Sequence, residues 1–388
     1  MIEVSGRIAS VEFPPIAEAL GWVAGRKGNK DLLNLCQAVP SYPPAPALQT
    51  EIARLALLPG TGGYTDIFGI PELRQAFAVH LTTDYGAEVQ ASNVAITTGC
   101  NQAFAAAIMV LAEAGDNVVM PAPYYFNHQM WLKMLGIEIK PIPTFGDGQA
   151  WPSVTAAAAA LDRKTKAIML CSPNNPSGAI YPPEVLQGFY ELAQNAGIAL
   201  IVDETYKDFR PGHAAAHDLL KQTAHEDTLI QLFSFSKIYA LAGYRLGALV
   251  AGPRILHEAA KVLDTMTICP PHITQRGVLF AVGQLDQWKE EKRQVMAERL
   301  AALRSAFSDA DLKYKLVSSG AYFAYAHHPF AGQASKDVAK RLAQEFGVLC
   351  LPGSMFGPGQ EDYLRFAFAN VEKEKMTQLT VRLKASQL

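Results

Sequence analysis

Between about residues 93 and 251, short apolar runs alternate with helical stretches, and this alternation constrains the fold more than any other feature. The runs are 94–96, 118–120, 167–170, 198–202, 229–233 and 248–251. One intervening stretch opens at Pro182 and Pro183 and carries Val185, Leu186, Phe189 and Leu192 at helical spacing before Gly197. Strands that are apolar on both faces and separated by helices build a mostly parallel sheet covered on both sides. In such sheets ligands bind outside the carboxyl ends of the strands. Polar residues that follow an apolar run are therefore where chemistry is expected.

After about residue 285 the pattern changes. A long charged helix from 287 to about 307 leads into strand-like runs at 314–317 and 321–326. A helix at 335–346 follows, then strands at 348–351 and 363–367 and a closing helix. This predicts an α/β chain in three parts: residues 1–45 as an N-terminal arm that joins the small domain, 46–284 as the large domain, and 285–388 as a smaller α+β domain. There is no internal repeat, and the alanines at 156–160 sit in a helical pattern ending near Leu161.

Composition removes several function classes. A chain of 388 residues with a net charge of −2 has no basic excess for nucleic acid. The longest apolar run, 103–112, is too short to cross a bilayer. The first residues lack the basic and apolar regions of a secretion signal. Five scattered cysteines, never in a CxxC pair, suit a reducing cytoplasm without a disulfide framework or zinc ribbon. His213 and His217 are four apart, but no Glu or Cys completes a metal site nearby. They read as a surface pair, and His327–His328 as an exposed strand end.

The most informative segment is Ser234-Phe235-Ser236-Lys237, followed by Gly243-Tyr244-Arg245-Leu246-Gly247. It comes after an apolar run, so its polar groups arrive at a strand's carboxyl end. Two hydroxyls and an arginine can hold a phosphate dianion, the guanidinium through paired hydrogen bonds. A lysine buried among cations can lose its proton and attack an aldehyde to form an imine. Alone, the same segment also fits a serine-rich loop with a solvated lysine.

Three further segments share that sheet edge. The run 198–202 ends in Asp203-Glu204-Thr205-Tyr206, which places a carboxylate where it could keep a pyridine nitrogen protonated, bind Mg²⁺ or cap a helix. Cys171-Ser172-Pro173-Asn174-Asn175-Pro176-Ser177-Gly178 is a turn after another run. Thr97-Thr98-Gly99-Cys100-Asn101-Gln102 joins a strand to a helix start, whose free amides attract anions.

Together and in this order, these segments resemble the class I/II aminotransferases, pyridoxal-phosphate enzymes of the aspartate aminotransferase fold (fold type I). The resemblance runs from about Leu35 to Asn370. It implies that Lys237 carries pyridoxal 5′-phosphate as a Schiff base, that Asp203 pairs with the pyridine nitrogen, and that Tyr206 and Asn175 contact the phenolate oxygen. It implies a phosphate cup of Ser234, Ser236, Arg245 and the amides around Gly99, Cys100 and Asn101, with Tyr125 stacked on the ring. Arg365, with Asn175 and Ala38, would bind the substrate carboxylate. Tyr64 would reach the phosphate of a neighbouring subunit in a homodimer with shared sites. Cis bonds are expected at Ala122–Pro123 and Asn175–Pro176.

The chain departs from the family pattern at Ala38, where the resemblance implies glycine, and at Cys100, where many members have a second glycine. No second cation can be placed to bind a side-chain carboxylate. Phe13, Tyr124, Phe126, Ile238, Met355 and Phe356 are candidates for an apolar pocket. The expected activity is transfer of an amino group between a neutral, bulky or aromatic L-amino acid and a 2-oxo acid. The rival within the same chemistry is a C–S β-lyase. A non-catalytic sensor binding the same cofactor would need a DNA-binding module, and the roughly 45 residues ahead of the large domain carry no basic helix pair.

Overall fold

The computed structural model describes residues 2–25, 31–146 and 148–388. After β1 (Leu33–Asn34), seven strands form the main sheet: β2 (Val94–Thr97), β3 (Asn117–Ala122), β4 (Glu138–Pro143), β5 (Thr165–Cys171), β6 (Ala199–Asp203), β7 (Leu229–Ser234) and β8 (Gly247–Val250). Their spatial order is β2-β8-β7-β6-β5-β3-β4. The pairs from β4 across to β7 are parallel, and β8 runs opposite to both of its neighbours. β2, β3, β6 and β8 are buried at every residue, which is why they read as unbroken apolar runs. The helix Pro183–Ala196 buries Leu186, Phe189, Tyr190 and Ala193 on one face. It opens on proline, whose missing N–H costs nothing in a first turn, and closes at Gly197 with φ +65°.

β4 is not anticipated by the sequence. Glu138–Pro143 contains two prolines and buries only Ile142. It lies at the edge of the sheet and pairs only with β3, so its prolines can turn their missing donors outward.

The C-terminal part holds β9 (Lys315–Gly320), β10 (Phe323–His327), β11 (Val348–Leu349), β12 (Leu351–Pro352) and β13 (Tyr363–Ala367). β12-β13-β10-β9 form an antiparallel sheet, while β11 pairs in parallel with β1. The single strand expected at 348–351 is thus two strands in different sheets, parted at Cys350. The helix expected at 335–346 is α-helical over Ser335–Arg341 and continues as a π-turn over Leu342–Phe346.

Two histidine readings are corrected. His213 and His217 lie in a loop, not on a helix. His217 is 2% exposed, its Nε2 lies 3.4 Å from Glu204 Oε1, and its Nδ1 accepts from the Leu219 amide. His328 is also buried, its ring against Phe330 and its backbone N–H bonded to Asp362. Pattern reading missed both because apolar surroundings and local acceptors supplied by distant segments decide whether a histidine is buried.

Candidate active site

The strand ends converge as expected. Residues after β2, β5, β6 and β7 meet around a cavity of about 120 Å³ lined by Cys100, Asn101, Tyr125, Asn175, Asp203, Thr205, Tyr206, Ser234, Ser236, Lys237 and Arg245. Lys237 sits in the short helix Phe235–Ile238, one turn beyond β7. Its Nζ donates to the carbonyl of Ala38 at 2.7 Å. Burial first, then the charges of Arg245 and Arg365, lower its pKa from 10.5 to about 8. The free amine is therefore far more populated near neutrality than for an ordinary lysine.

Asp203 closes β6 and is buried. Its Oδ1 accepts the Thr205 amide at 2.9 Å and the Cys100 thiol at 3.6 Å, while Oδ2 lies 3.5 Å from His128 Nε2. Burial pushes the imidazole of His128 down to about 4 against the pull of Asp203, so the ring is neutral at ordinary pH. Burial also raises the Tyr206 hydroxyl well above its usual range, which keeps it an O–H donor.

The other end of the cavity is built for an anion. Gly99 caps the helix Cys100–Leu111 at φ +83°, and the Gln102 and Ala103 amides turn back to the Gly99 carbonyl, which leaves the Cys100 and Asn101 amides at the open helix start. A Cβ on Gly99 would stand 2.5 Å from Arg245 Nη2, so glycine is what lets the guanidinium reach the helix start. Arg245 itself is held in the left-handed region (φ +54°), with Nη1 on the Ala242 carbonyl at 3.0 Å. Ser234 Oγ accepts from the Ser236 amide at 3.3 Å.

Arg365, on β13, is 1% exposed. Nη1 donates to Asn175 Oδ1 at 3.0 Å and Nη2 to the carbonyl of Cys36, and its Nε is buried without a partner. The guanidinium lies 5.2 Å from the Phe323 ring centre and 5.1 Å from that of Phe356. A buried cation with a spare donor and only neutral partners suits an incoming carboxylate.

These groups fit pyridoxal phosphate: an amine for its aldehyde, a buried carboxylate for its ring nitrogen, and an anion seat for its phosphate. The bonds Ala122–Pro123 and Asn175–Pro176 are cis as expected, as is Ser172–Pro173. Tyr64 is 80% exposed and does not line this cavity. Among the apolar candidates, Tyr124, Phe126 and Phe356 are buried, and the Tyr124 amide donates to the Phe356 carbonyl at 2.9 Å. Phe13 is 68% exposed. Ile238 lines a separate small cavity with Phe77, Phe233 and Tyr239, and none of the six candidates lines the cavity around Lys237. The sequence reading missed Thr205 and His128. Thr205 could have been found as part of the Asp203 turn, whereas His128 carried no motif.

Comparison with known proteins agrees with this geometry. The family model for aminotransferase class I and II matches residues 30–383. The aromatic aminotransferase ISS1 of Arabidopsis thaliana is 30% identical, covering 91% of this chain and 89% of its own length. The aspartate aminotransferase of Thermotoga maritima is 28% identical over 98% of both chains. A single mutant of Thermus thermophilus aspartate aminotransferase superposes with a TM-score of 0.89 at 25% identity, covering 100% of each chain. No helix among the described residues is long and apolar enough to cross a membrane. The chain belongs to the class I and II aminotransferases and is a pyridoxal-phosphate-dependent transaminase of fold type I.

Proposed function

We propose that this enzyme moves the amino group of a neutral L-amino acid with a bulky or aromatic side chain to a 2-oxo acid, at the cavity around Lys237. The supply of positive charge carries this reading. Lys237 is assigned to the cofactor, Arg245 and the helix amides to its phosphate, and Arg365 to the substrate α-carboxylate. Among the described residues lining the cavity, no further cation remains. A second carboxylate on the donor would lose its water without gaining a partner. The likeness to an aromatic aminotransferase supports the same choice.

When bound, the cofactor supplies a carbonyl carbon that condenses with amines and a ring that accepts the electron pair left at the substrate Cα. Lys237 would hold it through Nζ and, when free, would take the proton from the substrate Cα and pass it on. Asp203 keeps the ring nitrogen protonated. Tyr206 and Asn175 donate to the ring oxygen, and Tyr125 forms one wall. Ser234, Ser236, Arg245 and the amides around Gly99, Cys100 and Asn101 would hold the phosphate. Arg365 and Asn175 orient the substrate carboxylate beside Ala38, which fixes which Cα bond faces Lys237.

The same reading includes a homodimer in which Tyr64 of each chain serves the other chain's phosphate. It also includes a division into residues 1–45, 46–284 and 285–388, and a cytoplasmic setting supported by five free cysteines. A panel of amino donors against 2-oxoglutarate and pyruvate tests the chemistry. Phenylalanine, methionine or leucine should exceed aspartate in kcat/KM. Ammonia and pyruvate released without any 2-oxo acid would instead identify a β-lyase.

A further inference from the structure

We propose that Cys100 is a positioning residue whose thiol fixes the carboxylate of Asp203 for its work on the cofactor ring. This rests on the reading of Asp203 as the partner of the ring nitrogen.

Two groups donate to Asp203 Oδ1, the Thr205 amide at 2.9 Å and the Cys100 thiol at 3.6 Å, an ordinary distance for the larger sulfur atom. The Thr205 amide belongs to the turn that follows Asp203, so it moves with the carboxylate and cannot fix it against the rest of the site. Cys100 belongs to another element and can.

Its own position is well determined. A Cβ on Gly247 would stand 2.7 Å from Cys100 N and 2.6 Å from the Phe233 carbonyl, so β7, β8 and the helix start are in close backbone contact there. One turn on, the Phe104 ring packs 4.2 Å from the ring of His128, which faces Asp203 Oδ2. The helix Cys100–Leu111 thus addresses one carboxylate oxygen directly and supports the group facing the other. The Cys100 amide lies at the anion seat and its side chain at the ring-nitrogen seat, so one residue joins the two ends of the site. Burial and the charge of Asp203 both raise the thiol pKa well above 9, so sulfur keeps the proton it donates.

The test compares Cys100→Ala, Cys100→Ser and Asp203→Ala as holoenzymes, and wild type with Asp203→Asn as apoproteins. Cys100→Ala should lower kcat/KM about three- to tenfold, the scale of one ordinary hydrogen bond, because a thiol is a weak donor. It should also shift the pH midpoint of the cofactor's visible absorption band, at unchanged melting temperature. Cys100→Ser, which keeps a donor, should restore both. In the apoprotein, Asp203→Asn should speed alkylation of Cys100 at pH 8, read by peptide mapping, because it removes the charge that suppresses the thiolate. If Asp203→Ala is impaired while Cys100→Ala matches wild type in titration and turnover, the Cys100 role is overturned and the Asp203 reading stands. If Asp203→Ala itself titrates and turns over normally, both fall. Should Cys100→Ala fail to fold, an apoprotein alkylation rate unaffected by Asp203→Asn overturns the contact on its own.

Discussion

Arg365 Nη1 donates to Asn175 Oδ1 at 3.0 Å across 190 residues of sequence. Asn175 follows β5 of the main sheet and Arg365 lies within β13 of the antiparallel sheet, so this bond joins the two sheets at the cavity. The element proposed to grip the substrate is thereby tied to the elements proposed to hold the cofactor.

Replacing Arg365 by leucine should lower kcat/KM for amino acids at least about thirtyfold, since losing one partner of a buried charge pair costs about 2–5 kcal/mol. Lysine should rescue little, because it lacks the planar fork that serves Asn175 and a carboxylate together. Simple amines without a carboxylate supply the control. Their half-reaction with the enzyme, followed by cofactor absorbance, should be nearly unchanged.

The lowered pKa of Lys237 gives the apoprotein a pH signature. Between about 8 and 10.5 the unfolded lysine is protonated and the folded one largely is not. The unfolded state binds more protons there, so this residue's contribution makes stability rise with pH across that window. Lys237→Met should abolish the rise. Denaturant unfolding of both apoproteins at pH 7, 8, 9 and 10 checks it, and a wild-type minus variant difference that stays flat would contradict the assignment.

Behind Asp203, the next residue faces away from the cavity. Glu204 accepts from Tyr85 Oη at 2.7 Å and from Gln231 Nε2 at 2.6 Å, and meets His217 Nε2 at 3.4 Å. Burial opposes its ionisation, but His217, Tyr85 and Lys207 outweigh it and hold the carboxyl below its usual range. Its contribution is thus present above about pH 4.5 and is lost as pH falls through the depressed value. Glu204→Leu should cost about 3–5 kcal/mol at pH 7, with less difference from wild type in acid, by denaturant unfolding.

This network shows where sequence reading stops. Asp203 was legible because it ends an apolar run, and its edge of the sheet followed from strand order. The role of His217 was not, since its partner is set by how the loop before Leu219 folds back onto β6. β4 was illegible for the opposite reason: its prolines mimic a loop, and only its edge position makes them tolerable. Cys100 was visible as a departure from a pattern, but its approach to Asp203 depends on helix placement that no local signal encodes.

Gly247→Ala tests the backbone contact at the anion seat. Its Cβ would meet Phe233 O, Cys100 N and the Gly99 carbonyl carbon at 2.6–2.7 Å, all backbone atoms that cannot rotate aside. The helix start or β8 must shift, and the first-turn amides with it. Cofactor affinity should fall at least about tenfold, the effect of losing one good charge-assisted hydrogen bond, as measured by titrating pyridoxal phosphate into apoprotein. Wild-type affinity would show that the seat tolerates movement there.

Tyr64 is 80% exposed beside the glycines of the turn Pro59–Gly62, and nothing among the described residues of its own chain explains an aromatic side chain held in solvent. A second copy placing that hydroxyl at the opposite phosphate would explain it, and closed twofold dimers are the commonest way for a chain to meet itself. Sharing then makes a specific demand on mixed subunits. Tyr64→Ala should be strongly impaired and Lys237→Ala inactive, each as a homodimer. Unfolded together and refolded, they should form heterodimers with one intact site, taking Lys237 from the first variant and Tyr64 from the second. The other site would lack both groups. Activity should appear only in the mixed fraction, separated by differently tagged subunits, and should approach half of the wild-type value per dimer. If Tyr64→Ala alone is inactive and purified heterodimers show no recovery, the tyrosine acts within its own chain and the sharing is wrong.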